Sequence, residues 1–92
     1  MWRGGPKPTE KLAQGRSWTR SYSVACAFAL SNSIREPIVL IRHLRREHAL
    51  AWIGGIEKEV ILTTEALVLP AQQHGSLPDW RRHRARKKQY FF

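Results

Sequence analysis

The sequence predicts an α+β fold, in which one main helix packs on a small, mostly antiparallel β-sheet. The helix is predicted at 21–31, where small and apolar residues recur with helical spacing. Apolar runs, several of them rich in β-branched residues, follow it and are typical of strands. They lie at 37–44, 49–53, 56–62 and 65–69. A glycine pair between the second and third runs predicts a β-hairpin over 49–62 with a two-residue turn.

The predicted helix has a face of small side chains. Ala25 and Ala29 are four residues apart, and so are Val24 and Phe28. At least one of these faces should pack inward, and alanines would allow the helix to approach a sheet closely. Cys26 lies on the same helix, where a small buried apolar role is expected.

Composition limits the class of protein and of site. The 92 residues suit one domain with a modest core, and the net charge of +9 indicates a polyanion among the partners. The single cysteine excludes an internal disulfide and favours a reducing, cytoplasmic location. The longest apolar run, 24–30, is too short to cross a membrane, so no membrane partner is expected. His43 and His48 lie among arginines without a third ligand, which predicts no metal site.

Basic residues concentrate in the last part of the chain. Polar and turn-forming residues at 71–78 predict a linker, so we expect a domain over 1–70 and a basic tail over 79–92. The tail holds more than half of the net charge, on Arg81, Arg82, Arg84, Arg86, Lys87 and Lys88. Its aromatic residues are Trp80, Tyr90, Phe91 and Phe92. Arginine side chains can bind phosphates and aromatic rings can stack on bases, so the tail could bind nucleic acid. The alternative is that it is a solvated terminus.

Two glutamates in the strand predicted at 56–62 are the first candidates for chemistry. Alternation along a strand places Glu57 and Glu59 on one face, about 7 Å apart. Such a pair is either a solvated strand face or a place where carboxylates meet a cation or a reacting group. Arg3 and the segment 17–19 upstream favour the second interpretation.

Three motifs occur in a fixed order. They are Trp2-Arg3-Gly4, then Gly15-Arg16-Ser17-Trp18-Thr19 before the helix, then Glu57-Lys58-Glu59-Val60-Ile61-Leu62 in the late strand. Residues 2–70 resemble the arginine, serine, glutamate class of ADP-ribosyltransferases, and within it small phage and prophage proteins. The helix motif of those proteins is similar to Ala25-Cys26-Ala27-Phe28-Ala29. The resemblance implies a minimal split β-sheet with one main helix.

The resemblance also implies an activity, the transfer of ADP-ribose from NAD to an arginine side chain of a protein. The residues that would bind NAD are Arg3, Gly4, Ser17 and Thr19. An arginine fork suits the pyrophosphate of NAD, because it can form paired charge-assisted hydrogen bonds. Glu59 would stabilise the positive charge that develops on the ribose, and Glu57 would orient or deprotonate the acceptor. Trp18, which alternates with Ser17 and Thr19, would point into the core.

Two alternatives remain open beside a blander interpretation, a chain with no selected function, which predicts no cooperative unfolding. The spacing from Arg3 to Glu59 is shorter than in well-known toxins of this class, which leaves room for an inactive relative. A small basic nucleic-acid-binding protein without catalysis also fits the charge. Cleavage of NAD distinguishes the enzyme from both.

Overall fold

A six-stranded antiparallel sheet organises the part of the chain that the computed structural model describes, residues 1–31, 36–55 and 57–84. The strands are β1 (Trp2–Pro6), β2 (Ser17–Thr19), β3 (Pro37–Arg42), β4 (Ala49–Ile53), β5 (Glu59–Leu62) and β6 (Ala71–Gln73). Their order across the sheet is β4-β5-β2-β1-β3-β6, and every neighbouring pair is antiparallel. The predicted α+β class is confirmed.

Three α-helices accompany the sheet within the described residues: α1 (Thr9–Ala13), α2 (Tyr22–Leu30) and α3 (Leu77–His83). The helix predicted at 21–31 is α2. It begins after Ser21, whose side-chain oxygen accepts a hydrogen bond from the amide of Val24 at 3.4 Å. Among the helices of the described ranges, none has the length and apolar character needed to cross a membrane.

The helix α2 lies almost in contact with the backbone of β1. A Cβ atom at Gly4 would overlap the carbonyl group of Ala25 and the amide nitrogen of Ala29, so only glycine fits there. Ala25, Cys26 and Ala29 are fully buried on this face. The predicted close approach of the alanines is therefore confirmed, and it accounts for the glycine at position 4.

The strands β4 and β5 form the predicted hairpin, but the turn is longer than predicted. Ile53 pairs with Glu59, so five residues separate the strands instead of two. Lys58 has a φ of 48°, in the left-handed region that interrupts an extended backbone. The strand predicted at 56–62 therefore begins only at Glu59, and Glu57 lies outside it.

The segment predicted as a strand at 65–69 is instead a 3₁₀ turn, Glu65–Val68. The amide of Ala66 donates a hydrogen bond to the hydroxyl of Thr63 at 3.3 Å, just before this turn. A local side-chain hydrogen bond of this kind favours a turn over a strand, and the short apolar run did not outweigh it.

The residues predicted as a polar linker, 71–78, extend the fold. The strand β6 pairs with β3 at the edge of the sheet, and α3 packs on α2. Trp80 anchors α3, because it is buried and its indole N–H donates to the carbonyl of His74 at 2.8 Å. The sheet thus continues past residue 70, and Trp80 is a core residue, which corrects the expectation that it could stack on bases.

Candidate active site in the cleft between β1 and β2

A cleft opens between β1 and β2 because these strands pair at a single position. Trp2 lies opposite Thr19, and the described strands form no second pair between Gly4 and Ser17. The strands diverge from there and leave a cavity of about 290 Å³. All six residues predicted for NAD binding and catalysis line it: Arg3, Gly4, Ser17, Thr19, Glu57 and Glu59.

Arg3 bridges the opening between the two strands. Its Nε donates to the carbonyl of Leu12 at 2.9 Å and its Nη1 to the carbonyl of Ser17 at 2.6 Å. The side chain thus gives Ser17 the hydrogen bond that β1 would give in a continuous sheet. Gly15 packs over the guanidinium, and a Cβ there would overlap it.

Burial affects the charge of Arg3 only slightly. Desolvation lowers the pKa of its guanidinium from the ordinary value, but arginine stays protonated at any physiological pH. Two of its five N–H groups hold backbone carbonyls, so within the described residues the other three are the ones available to a ligand. Arg3 is therefore a structural link across the cleft as well as a partly buried positive charge in its wall.

Glu59 is positioned by a serine on the neighbouring strand. Thr19 lies opposite Glu59, so Ser17, two residues along β2, points to the same face of the sheet. The hydroxyl of Ser17 donates a hydrogen bond to Oε2 of Glu59, which is half-buried. One carboxylate oxygen of Glu59 is thus held by a hydrogen bond from the neighbouring strand.

Glu57 reaches the same cavity by a different route from the one predicted. The two glutamates do not alternate along one strand, because Lys58 between them is in the left-handed region. The hydroxyl of Thr19 donates to the carbonyl of Glu57 at 2.5 Å and accepts a hydrogen bond from the amide of Ser21 at 3.0 Å. Thr19 therefore ties the turn that carries Glu57 to the start of α2, and Glu57 remains exposed at the edge of the cleft.

Trp18 behaves as the alternation predicts. It is 1% exposed, and its indole N–H donates to the carbonyl of Gly15 at 2.6 Å. The guanidinium of Arg42 lies 4.7 Å from the centre of its ring, on the core side of the sheet. Ser17 and Thr19 are thereby held facing the cleft by a large residue packed behind them.

Apolar side chains that sequence reasoning did not assign to the site form other walls: Trp2, Leu12 and Phe28. The four-residue spacing of Val24 and Phe28 predicts a shared helix face but does not reveal what that face contacts. The indole N–H of Trp2 is buried and has no acceptor within the described residues. An unpaired buried donor costs about 1–3 kcal/mol, so this wall is not optimised for stability alone.

Three of the predicted nucleic-acid-binding residues belong to the part of the chain that the structure describes, and none of these three lines the cleft. Arg81 and Arg82 lie on α3 and Arg84 follows it, all three exposed. Arg82 lies 3.6 Å from Asp79, so part of its charge is neutralised. Arg86, Lys87, Lys88 and the aromatic residues 90–92 lie outside the described residues. Nucleic-acid binding by this segment stays a prediction.

Metal ligands are not grouped anywhere in the described ranges, where no set of three or more histidine, cysteine, aspartate or glutamate residues could hold an ion. The ring nitrogen Nδ1 of His48 accepts a hydrogen bond from the amide of Arg45 at 3.0 Å. His48 thus helps to shape the short turn Arg46–His48 that leads into β4.

No protein-family model, no curated protein and no solved structure matches this chain. A fold by itself does not specify a function, because function depends on the residues of a site. The case for an activity therefore rests on the cleft and its side chains.

Proposed function

We propose that this chain is an NAD-dependent ADP-ribosyltransferase that modifies arginine side chains of a protein, with its active site in the cleft between β1 and β2. One observation carries the proposal. Six residues, selected from three distant segments because of their motifs, line a single cavity. The meeting of these segments in one cavity is what supports the proposal.

The cleft is suited to one half of an NAD molecule. Its volume of about 290 Å³ lies just below the range of small-molecule pockets, about 300–1,000 Å³. We assign it to the nicotinamide and its ribose. The pyrophosphate would then lie against the N–H groups of Arg3 that do not hold carbonyls, where a partly buried positive charge favours an anion.

Glu59 would supply the negative charge that cleavage of NAD requires. When the bond between nicotinamide and ribose breaks, its electron pair leaves with the nicotinamide and positive charge develops on the sugar. A carboxylate that Ser17 already holds in place can stabilise this charge with little reorganisation.

Glu57 would act on the acceptor. Its place at the exposed edge of the cleft allows a second molecule to approach from solvent, while Thr19 fixes the backbone at this position. As a guanidinium nitrogen of the target attacks the ribose carbon, Glu57 would accept the proton that this nitrogen loses. The products are then the ADP-ribosylated arginine and free nicotinamide.

Replacing Glu57 with glutamine separates the two proposed roles. We expect NAD hydrolysis to stay within about twofold of wild type, whereas transfer to a small guanidine such as agmatine falls on the order of 100-fold, because only transfer needs the base. Both rates can be measured by chromatography of NAD, nicotinamide and the adduct.

Glu47→Gln is the matched control, because Glu47 is another exposed glutamate in a turn, away from the cleft. It should leave both rates unchanged. If Glu57→Gln spares transfer, or lowers hydrolysis and transfer to the same extent, the role assigned to Glu57 is wrong.

A further inference from the structure

A second cavity, of about 420 Å³, lies on the other face of the β4-β5 hairpin. Val60 and Leu62, which are fully buried, lie beneath it, and Trp52 and Leu44 stand beside them. Trp52 pairs with Val60 across the hairpin, so their side chains share a face, while Glu59 belongs to the opposite face. The two cavities have no lining residue in common.

An exposed aromatic ring stands at the edge of this second cavity. Trp52 keeps 49% of its surface exposed although it belongs to a strand. The guanidinium of Arg20 lies 5.2 Å from the centre of its ring, a cation–π distance. A tryptophan held in this way can offer its ring to a planar ligand at a small cost in conformational entropy.

Positive charge surrounds the ring from two separate segments. Arg45 and Arg46 line the cavity ahead of β4, and Arg20 reaches the ring from the end of β2. All three arginines are exposed. Glu47 is the one carboxylate between positions 42 and 55, so this surface is strongly basic.

We propose that this second cavity binds a nucleotide unit of a single-stranded nucleic acid. The base stacks on Trp52, and the flanking phosphates bind Arg45, Arg46 and Arg20. Stacking on an aromatic side chain and salt-dependent phosphate contacts are the combination that single strands require. The inference does not depend on the enzymatic activity, because it uses none of the residues of the cleft.

A single-stranded nucleic acid suits the cavity better than a free mononucleotide or a duplex does. Cations approach the ring from two segments, and a base within a strand carries a phosphate on each side, whereas a mononucleotide carries one. In a duplex the bases are stacked on each other, so Trp52 would have no ring face to contact. The occupant is therefore recognised by an unpaired base together with its two phosphates.

Fluorescence anisotropy with a labelled dT₁₂ oligonucleotide tests the proposal on the full chain. Trp52→Ala should lower the affinity on the order of 10-fold, because it removes the ring on which the base stacks. Arg45→Gln combined with Arg46→Gln should reduce the slope of log K against log salt by about 1.4, the value for two phosphates of a single strand.

Ile53→Ala is the matched control, because Ile53 is adjacent on β4, has a similar exposure of 47% and faces the other way. It should bind as wild type does. Arg81→Gln with Arg82→Gln tests the basic tail in the same assay. Thermal unfolding of each variant checks that it is folded, and NAD hydrolysis should be unaffected by Trp52→Ala.

Three outcomes would overturn the proposal. The first is equal affinity of Trp52→Ala and Ile53→Ala, and the second is binding that depends on Arg81 and Arg82 but not on Trp52. The third is that poly-glutamate, a DNA duplex or dTMP competes as effectively as unlabelled dT₁₂. The site would then recognise negative charge alone, paired bases or a free nucleotide, and not an unpaired base within a strand. Selective competition by the single strand supports the proposal.

Discussion

The backbone conformation of Lys58 determines how the two glutamates of the cleft are placed. Its positive φ reverses the chain between them, so Glu59 is held on a strand while Glu57 stays on a turn. For an L-residue the left-handed conformation costs about 1–2 kcal/mol. Such a residue persists only where its surroundings fix it, and here the carbonyl of Lys58 accepts a hydrogen bond from the amide of Arg20 at 3.0 Å.

Two substitutions of Lys58 measure this backbone cost. Lys58→Gly should raise the free energy of unfolding by about 0.5–1 kcal/mol, because glycine adopts a positive φ without steric conflict and loses only part of this gain to its own flexibility. Lys58→Thr should lower it by about 1–2 kcal/mol, because a β-branched residue is least compatible with this region. Urea unfolding gives both values.

Both variants remove the same charge, so the difference between their free energies of unfolding reports the backbone conformation and not the loss of charge. Equal stabilities would show that the conformation of Lys58 is not strained. A higher free energy of unfolding for Lys58→Thr than for wild type would contradict the assignment of the turn.

Side-chain roles at this scale could be predicted only in part. The burial of Trp18 follows from its size and from alternation along the strand, and it is confirmed. The roles of Ser17 and Glu59 come from the resemblance and stay predictions, although their side chains meet in the cleft. The hydrogen bonds of Arg3 to two carbonyls could not be predicted, because they depend on where β1 and β2 separate. The same holds for the turn at Lys58, since nothing in the sequence Glu57-Lys58-Glu59 indicates a positive φ.

At the scale of elements, a polar contact fastens α3 to α2. The hydroxyl of Tyr22 donates to a carboxylate oxygen of Asp79. This hydrogen bond holds the pKa of Asp79 below its ordinary value, and the charges of His83, Arg82 and His74 add to the effect. Burial, and then the same hydrogen bond, raises the pKa of Tyr22.

This contact predicts a window of pH in which α3 is held most firmly. The folded state favours ionised Asp79, so Asp79 stabilises the fold above the pKa of about 4 that it has in the unfolded chain. This stabilisation is lost as the pH falls through the lower pKa that Asp79 has in the folded state. The folded state also favours neutral Tyr22, so that contribution exists below about pH 10 and is lost as pH rises further. Burial raises the pKa of Cys26 to about 11, so this thiol stays neutral over the window.

Tyr22→Phe keeps the ring and removes the hydroxyl, which makes it the matched variant. Its thermal midpoint should fall below that of wild type at pH 7, with a smaller difference at pH 3 and at pH 10.5. Parallel curves for the two proteins across all three pH values would show that the hydroxyl contact does not link α3 to the domain.

The elements differ in how well the sequence predicts them. The helix α2 and the β4-β5 hairpin rest on local signals, a capping serine with buried alanines and a pair of adjacent apolar runs. The strand β6 and the helix α3 depend on distant partners, because Gln72 pairs with Ile41 and Trp80 packs against the domain. Polar composition at 71–78 therefore suggested a linker although the fold uses these residues.

At the scale of the whole molecule, the central position of β1 creates the site. It pairs with β3 along its full length but with β2 at one position, and this asymmetry opens the cleft on one side only. On the other side of β1, Arg42 of β3 is buried in the core. It donates hydrogen bonds to the carbonyls of Ala13, Leu67 and Leu69 and so stabilises that side. Desolvation in the core lowers the pKa of Arg42.

Strand order is the part of the fold that no local pattern gives. The order of the three motifs along the chain suggested a shared site, but only the sheet order β5-β2-β1 explains how they become neighbours. The basic, aromatic surface around Trp52 is likewise invisible in sequence, since Arg20 and Arg45 come from segments that the sheet brings together.

The rate of NAD hydrolysis by Glu59→Gln, compared with wild type and with Glu65→Gln, is the most direct test of the proposed activity. Glutamine keeps the shape of the side chain and removes the charge, and Glu65 is an exposed glutamate of the 3₁₀ turn, away from the cleft. We predict that Glu59→Gln loses about 100-fold or more of the rate, while Glu65→Gln matches wild type and all three proteins unfold at similar temperatures. Equal rates for Glu59→Gln and wild type, or no hydrolysis and no transfer by wild type, would contradict the assignment of this cleft as an ADP-ribosyltransferase active site.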